Sequence, residues 1–134
     1  MFCNPHNPVG RVWTKDELKK VCDICCDNGV FIIDDEIHND LIMPGFEHTV
    51  MATVSERVKD NIAVCTAPSK TFNLAGLVGS YHIIYNSYLR DRVQAASEKS
   101  HYTSMNVLSM YALIGAYQPE GYEWVDELRQ VLTE

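Results

Sequence analysis

The hydrophobic pattern in the first part of the chain changes from a helical repeat to a short continuous apolar run. Apolar residues recur at helical spacing over residues 14–28, and Thr14 with Glu17 forms a capping box at the start of this segment. The run at residues 30–34 is continuous and β-branched, which predicts a strand buried on both faces. A helix followed directly by such a strand indicates a parallel sheet and α/β architecture.

Three further segments have the character of strands. Residues 62–66 repeat the apolar, β-branched pattern, and residues 80–85 do so after a glycine-containing loop. Residues 2–3 predict the stub of another strand. The predicted sheet is therefore mostly parallel and flanked by helices.

The second half of the chain is helical in its periodicity. Apolar positions recur at helical spacing from residue 87 and again around residues 107–114. A break is predicted at residues 118–121, after which residues 122–132 resume the helical pattern. The predicted order is strand, helix, three strands and then three helices.

Composition limits the classes of function. The chain has 134 residues, of which 46% are hydrophobic, and this size predicts one compact unit rather than two domains. Its formal net charge of -7, from 18 acidic and 11 basic residues, disfavours nucleic acid and anionic membranes as partners. No membrane-spanning run or secretory signal is recognised, so we expect a cytoplasmic protein.

Five cysteines raise the question of metal or redox chemistry, since Cys22 and Cys25 have the C-x-x-C spacing. Both fall on the apolar face of the predicted helix, together with Leu18 and Val21. This phase favours packing as small hydrophobic residues over a metal site. We expect reduced thiols and no bound metal.

Polar residues follow three of the predicted strands. These clusters lie at residues 4–10, 35–38 and 69–73. Because ligands of open α/β sheets bind beyond the carboxyl ends of the strands, we expect the three clusters to converge on one crevice. An amine, a carboxylate and an amide placed together there could hold an aldehyde cofactor.

The sequences of these clusters resemble motifs of a known family. The NPHNPVG run at residues 4–10, the DEIH run at residues 35–38 and the lysine segment at residues 69–76 are similar to motifs of class I and II pyridoxal-phosphate aminotransferases, in the same order. The first two runs most resemble the PatB/MalY branch, whose members are carbon-sulfur β-lyases acting on cystathionine-like substrates. An aminotransferase is the alternative, because both activities need the same motifs.

The resemblance covers almost the whole chain but only the middle of a family member. It implies that residues 1–134 form the central part of the large, cofactor-binding domain of fold type I. The N-terminal phosphate-loop segment and the C-terminal small domain of the family are then absent. The resemblance also implies a homodimer for the full-length protein and a small-molecule amino-acid substrate. A non-catalytic, truncated module of such an enzyme is a further alternative.

The resemblance also implies roles for individual residues. Lys70 would form the Schiff base with pyridoxal 5'-phosphate and act as the catalytic base. Asp35 would pair with the pyridinium nitrogen, and Asn7 would donate a hydrogen bond to the ring phenolate oxygen. His38 stands where many members have a tyrosine that contacts the same oxygen.

The contacts to the cofactor phosphate depart from the family pattern. Ala67 stands where many members have a serine, and Val78 stands where many have an arginine. Ser69 or Thr66 could supply a hydroxyl instead. Loss of the arginine is expected to weaken phosphate binding.

Ordinary structural roles compete with these assignments. A lysine after a strand is usually a solvated surface residue. Asp35 could cap the turn after its strand, and the adjacent Asp34 competes for either task. Asn7 could simply begin a turn with Pro8.

Overall fold

The four strands of the computed structural model, which describes residues 1–134, lie side by side in their order along the chain. β1 and β2 are parallel, β2 and β3 are parallel, and β4 is antiparallel to β3. This arrangement confirms the predicted α/β class with a mostly parallel sheet. The strands are β1 (Phe2–Cys3), β2 (Ile32–Asp35), β3 (Ile62–Thr66) and β4 (Tyr81–Ile84).

Five α-helices occupy much of the remaining chain. None of them is long and apolar enough to cross a membrane. The predicted helices are present, and a short additional helix follows β3. The helices are α1 (Lys15–Asp27), α2 (Pro68–Thr71), α3 (Ser87–Lys99), α4 (Val107–Ala116) and α5 (Pro119–Val131).

Short 3-10 helices were not predicted from the sequence. They lie at Met51–Thr53, Glu56–Asn61 and Ala75–Leu77. Their length explains the omission, because a turn or two of helix is too short to display a hydrophobic period.

The capping box predicted for α1 is confirmed. The Glu17 backbone N–H donates to the Thr14 hydroxyl at 3.3 Å, and the Thr14 backbone N–H donates to the Glu17 carboxylate at 3.0 Å. These bonds satisfy N–H groups that the first turn of a helix otherwise leaves unpaired. At the other end, Asn28 caps the helix and Gly29 adopts the left-handed conformation, with φ of 63°.

The core lies between α1, two of the 3-10 helices and one face of the sheet. Every second residue of β2 and β3 points into it, and α1 supplies the facing side chains. Burial of these apolar side chains is the main source of stability in a domain of this size. The core residues are Leu18, Cys22, Ile32, Met51, Ala52, Val54, Val58, Ile62 and Val64.

The prediction that residues 30–34 form a strand buried on both faces was wrong. The strand begins only at Ile32, and Ile33 is 46% exposed while Ile32 is 4% exposed. The layer formed by α1 packs on the face of Ile32, and the face of Ile33 and Asp35 stays open. An apolar run cannot distinguish these cases, because β-branched residues suit both.

The predicted break at residues 118–121 was also wrong in extent. Helix α5 begins at Pro119, directly after Gln118. Proline is tolerated in the first turn of a helix, where its missing N–H has no intrahelical acceptor. Gly121 therefore lies inside the helix and does not separate two elements.

Candidate functional site

The carboxyl ends of β1, β2 and β3 are joined by backbone hydrogen bonds at one edge of the sheet. The Asn4 N–H donates to the Asp35 carbonyl at 3.0 Å, and the Glu36 N–H donates to the Cys65 carbonyl at 2.9 Å. All three polar clusters therefore start from neighbouring positions, as the parallel arrangement predicts.

The first cluster is a rigid loop built on Asn4, which is fully buried. Its side-chain amide donates to the Thr49 carbonyl at 3.2 Å, and its side-chain oxygen accepts from the Trp13 N–H at 3.3 Å. The loop closes through the His6 N–H, which donates to the Arg11 carbonyl at 2.8 Å. Asn7 lies at the exposed part of this loop.

A cavity of about 560 Å³ opens beside this loop, and it is shared by Asn7 and His38. Its volume is typical of small-molecule sites. Neither side chain forms a hydrogen bond within the chain, so the Asn7 amide and the His38 imidazole are both free to bind a ligand. The structure thus brings together two residues that the sequence predicted for one site.

Several residues that line the cavity were not predicted from the sequence. These lining residues are Leu41, Met43 and Phe46, from the loop that follows β2, and Arg11, from the same loop as Asn7. Phe46 is 67% exposed. The available signal in the sequence was the proline-glycine turn at residues 44–45, directly before Phe46.

Asp35 points to the open face of the sheet. One of its carboxylate oxygens accepts from the Ile37 N–H at 3.1 Å, so the turn-capping role that competed with cofactor binding is realised with that oxygen. Cys3 and Cys65 flank Asp35 in register on the neighbouring strands. Burial, and then the two neighbouring aspartates, raise the pKa of the Cys65 thiol, which keeps this flank uncharged.

Lys70 and Ser69 lie on α2, immediately beyond the end of β3. Lys70 is exposed and forms no ion pair, so its amine is available. Ser69 lines a small second cavity against α4. The larger cavity is not lined by Lys70, Ser69 or Asp35. These residues lie at the ends of the strands next to it.

The two hydroxyls considered for the phosphate differ in their surroundings. Thr66 is 5% exposed, and its hydroxyl donates to the Glu36 carbonyl at 3.4 Å. This hydroxyl faces the core, so Thr66 is unsuited to phosphate. Ser69 is partly exposed and its hydroxyl has no partner within the chain.

Val78, at the position where the family often has arginine, has an unusual backbone. Its φ is 47°, in the left-handed region, and its side chain is 78% exposed. A β-branched residue rarely adopts this conformation, because its side chain collides with the backbone.

A group of buried acids lies directly behind Asp35. Asp34 is fully buried and Glu36 is 2% exposed, and His48 approaches Glu36 with 3.3 Å between Nε2 and the carboxylate. Burial, together with Glu36 and then Asp35, raises the pKa of Asp34 to about 9. In the sequence, Asp34 is only an alternative to Asp35 for the same roles, and His48 shows no spacing typical of a ligand.

The C-x-x-C segment lies in α1 as predicted from its helical phase. Cys22 is fully buried in the core, and Cys25 packs against it. Burial first, and then the neighbouring thiols, raise the pKa of Cys22 to about 12. No group of three or more histidine, cysteine or acidic side chains is placed to hold a metal ion.

Comparison with known proteins gives consistent matches along the whole chain. The model of the family described as aminotransferase class I and II matches residues 1–134. The chain is 40% identical over 128 residues to cystathionine beta-lyase PatB of Bacillus subtilis (strain 168), which is 96% of this chain and 33% of that protein. It is 32% identical over 130 residues to an aspartate aminotransferase of Bacillus sp. (strain YM-2), with 95% of this chain and 32% of that protein covered.

Solved structures give the same picture. The crystal structure of cystalysin from Treponema denticola, which contains a pyridoxal 5'-phosphate cofactor, superposes with a TM-score of 0.89 at 44% sequence identity. The match covers 97% of this chain and 33% of that one. The chain therefore spans about a third of the length of the relatives that it matches.

The side chains at the strand ends have the chemistry that such a cofactor needs. Lys70 offers an unpaired amine for the aldehyde, and Asp35 keeps one carboxylate oxygen free of the chain's own donors. Asn7 and His38 present free donors to one cavity. None of these groups is hydrogen-bonded to another side chain of this protein, so the residues fit the cofactor.

Proposed function

Because the chain belongs to the class I and II aminotransferase family, we propose that it forms the central part of the large domain of a pyridoxal-phosphate-dependent carbon-sulfur β-lyase. On this proposal the N-terminal phosphate-loop segment and the C-terminal small domain of the family lie outside residues 1–134. The full-length protein would be a cytoplasmic homodimer acting on a small-molecule amino-acid substrate.

One observation carries this proposal: the NPHNPVG, DEIH and lysine segments all leave the sheet at the adjacent carboxyl ends of β1, β2 and β3. An amide, a carboxylate and an amine from distant parts of the sequence are thereby gathered at one edge. Each motif alone would be a weak argument, but their convergence on a single edge supports one shared ligand.

The proposed roles follow from the donors and acceptors available. Bound there, pyridoxal phosphate would supply an electron sink for the negative charge left on the substrate α-carbon when its proton is removed. The amine of Lys70 would take that proton. Asp35, through its free oxygen, would hold a proton on the pyridine nitrogen, and Asn7 would donate a hydrogen bond to the ring oxygen.

Two side chains complete the proposed site. The His38 imidazole, which lines the same cavity as Asn7, would donate to the same ring oxygen. The Ser69 hydroxyl would donate to the cofactor phosphate, since Thr66 is committed to the core.

The lyase is preferred because identity to cystathionine beta-lyase PatB is 40%, against 32% to the aspartate aminotransferase. We propose cystathionine or a related cysteine conjugate as substrate, with the thiol leaving from the β-carbon after the α-proton is removed. Aminotransferase activity is the second candidate, supported by the aspartate aminotransferase match.

Reductive labelling tests the central residue without requiring turnover. The protein is mixed with pyridoxal phosphate, reduced with borohydride and mapped by peptide analysis. We expect one labelled peptide, containing Lys70, and loss of the label in Lys70→Ala. Lys20→Ala is the matched control, because Lys20 is also exposed and unpaired. Label spread over many lysines and unchanged by Lys70→Ala would reject the proposed cofactor site.

Product analysis then separates the remaining candidates. Release of pyruvate from cystathionine supports the β-lyase, whereas conversion to the corresponding keto acid with amino-group transfer supports the aminotransferase. Specific labelling of Lys70 without either product supports the non-catalytic module that the sequence left open.

A further inference from the structure

Asp34 is an anomaly in the core of this protein. Its side chain is fully buried, and neither of its carboxyl oxygens accepts a hydrogen bond from another residue. It lies on the buried face of β2, next to Val64 of β3 in the register of the sheet. An ionised carboxylate in such a place, with no cation beside it, is strongly destabilising.

The groups that face Asp34 offer no compensation for a negative charge. Along the chain, the titratable neighbours are Asp35 at the end of β2 and Glu36 directly after it, and both are acidic. The neighbours from α1 and β3 are Cys22 and Cys65, whose thiol pKa values are raised by burial, with a smaller contribution from Asp34. No lysine, arginine or histidine forms an ion pair with Asp34.

Glu36, in contrast, is provided with partners. One of its carboxylate oxygens accepts from the Met51 N–H at 2.9 Å, and the other lies 3.3 Å from Nε2 of His48. Of the two neighbouring acids, Glu36 therefore has the surroundings of the charged form. Asp34 has those of the neutral form, with an acceptor in Glu36 but no donor.

We propose that Asp34 is kept as a neutral carboxylic acid that donates a hydrogen bond to Glu36, and that this buried pair of acids positions Asp35. Residues 34 and 36 point to the buried face, on either side of Asp35, and Asp35 consequently points to the open face. The Glu36 backbone extends the support, because its N–H donates to the Cys65 carbonyl at 2.9 Å.

The protonation part of this proposal does not depend on the proposed function. The positioning part does rest on it, since it concerns the carboxylate proposed to hold the proton of the cofactor ring. Asp34 touches no ligand in this scheme and is a positioning residue.

Isotope-edited infrared spectroscopy at neutral pH tests the protonation. We expect the carbonyl band of a protonated carboxylic acid, shifted by labelled aspartate and lost in Asp34→Asn. Asp40→Asn is the matched control, because burial also raises the pKa of Asp40. Absence of the band from the wild-type protein, or its loss in Asp40→Asn with retention in Asp34→Asn, would overturn the proposal. The wild-type measurement decides even if a variant fails to fold.

Cofactor affinity, measured by titration with pyridoxal phosphate, tests the positioning. Asp34→Asn keeps a donor to Glu36 and is expected to bind nearly as tightly as wild type. Asp34→Leu removes the donor and is expected to bind about tenfold more weakly with its fold retained. Equal affinities of Asp34→Leu and wild type would overturn the positioning role. If the wild-type protein fails to bind pyridoxal phosphate, the proposed function falls together with this role, and the infrared result still decides the protonation.

Discussion

The backbone N–H of Asn4 donates to the carbonyl of Asp35 over 3.0 Å, and this bond ties the first predicted cofactor loop to the second. The side chain of Asn4 binds the Thr49 carbonyl and the Trp13 N–H in addition. One buried amide therefore holds three segments together below the loop that carries Asn7.

Replacement of Asn4 is expected to weaken the whole site. In Asn4→Ala the partly buried Thr49 carbonyl and Trp13 N–H lose their partner, which costs up to about 1–3 kcal/mol for each group left unpaired. Urea denaturation should show a clear loss of stability. Asn7→Ala is the matched control, because Asn7 is exposed and forms no side-chain hydrogen bond. Equal stability of the two variants would contradict the role assigned to Asn4.

The junction between α4 and α5 depends on a glycine. A Cβ atom at Gly121 would overlap the backbone carbonyl of Ala116, and backbone cannot move aside cheaply. Gly121→Ala is therefore expected to destabilise the protein by several kcal/mol, about the cost of a badly overpacked site. Gly115→Ala is the control in the neighbouring helix, where a Cβ meets nothing within 4 Å.

The control variant Gly115→Ala is expected to change the stability in the opposite direction. Alanine at an open helical position stabilises by about 0.5–1 kcal/mol relative to glycine, so Gly115→Ala should raise the midpoint of thermal unfolding. Opposite shifts for the two glycines would support the α4 to α5 geometry. A similar small gain in both would contradict it.

The strained backbone at Val78 should respond to glycine. Val78→Gly removes a β-branched side chain from the left-handed region, and a gain of about 1 kcal/mol in the free energy of unfolding is expected. Val93→Gly is the control, because Val93 is an exposed valine within α3 and glycine there weakens a helix. A loss of stability in Val78→Gly would show that no strain resides at this position.

Much of this arrangement could be predicted from the sequence. The capping box of α1 and the order of the strands follow from local patterns, so the three motifs could be placed at one sheet edge. The exposure of the Ile33 face could not be predicted, because a β-branched run has the same pattern whether one face of the strand is covered or both. The position of His48 beside Glu36 could not be predicted either, because it depends on a loop without hydrophobic periodicity.

Restoring an arginine beside the proposed phosphate position should strengthen cofactor binding. Many family members carry arginine where this chain has Val78, and a charge-assisted contact to phosphate is worth about 1.5–3 kcal/mol. Val78→Arg is therefore expected to lower the dissociation constant for pyridoxal phosphate by about tenfold or more. Val131→Arg, at another exposed valine, adds the same charge on α5 and should leave the affinity unchanged.

Asp34 should give the protein an unusual dependence of stability on pH. Its pKa is raised in the folded state to about 9 from an ordinary value of 3.8, so the folded protein holds a proton that the unfolded chain releases. The stabilisation from this proton is complete below the ordinary value and is lost as the pH rises towards about 9. The slope is at most about 1.4 kcal/mol per pH unit.

Comparison of wild type with Asp34→Asn isolates this effect, since all other titrating groups are shared. We expect the free energy of unfolding of Asp34→Asn, measured in urea, to rise relative to wild type by up to about 4 kcal/mol between about pH 5 and about pH 8. Removal of an acid would then stabilise the protein at neutral pH, the opposite of what loss of an ordinary ion-paired carboxylate does. A constant difference across that range would mean that Asp34 does not change its protonation on folding, because only a group with different proton occupancy in the two states contributes a slope.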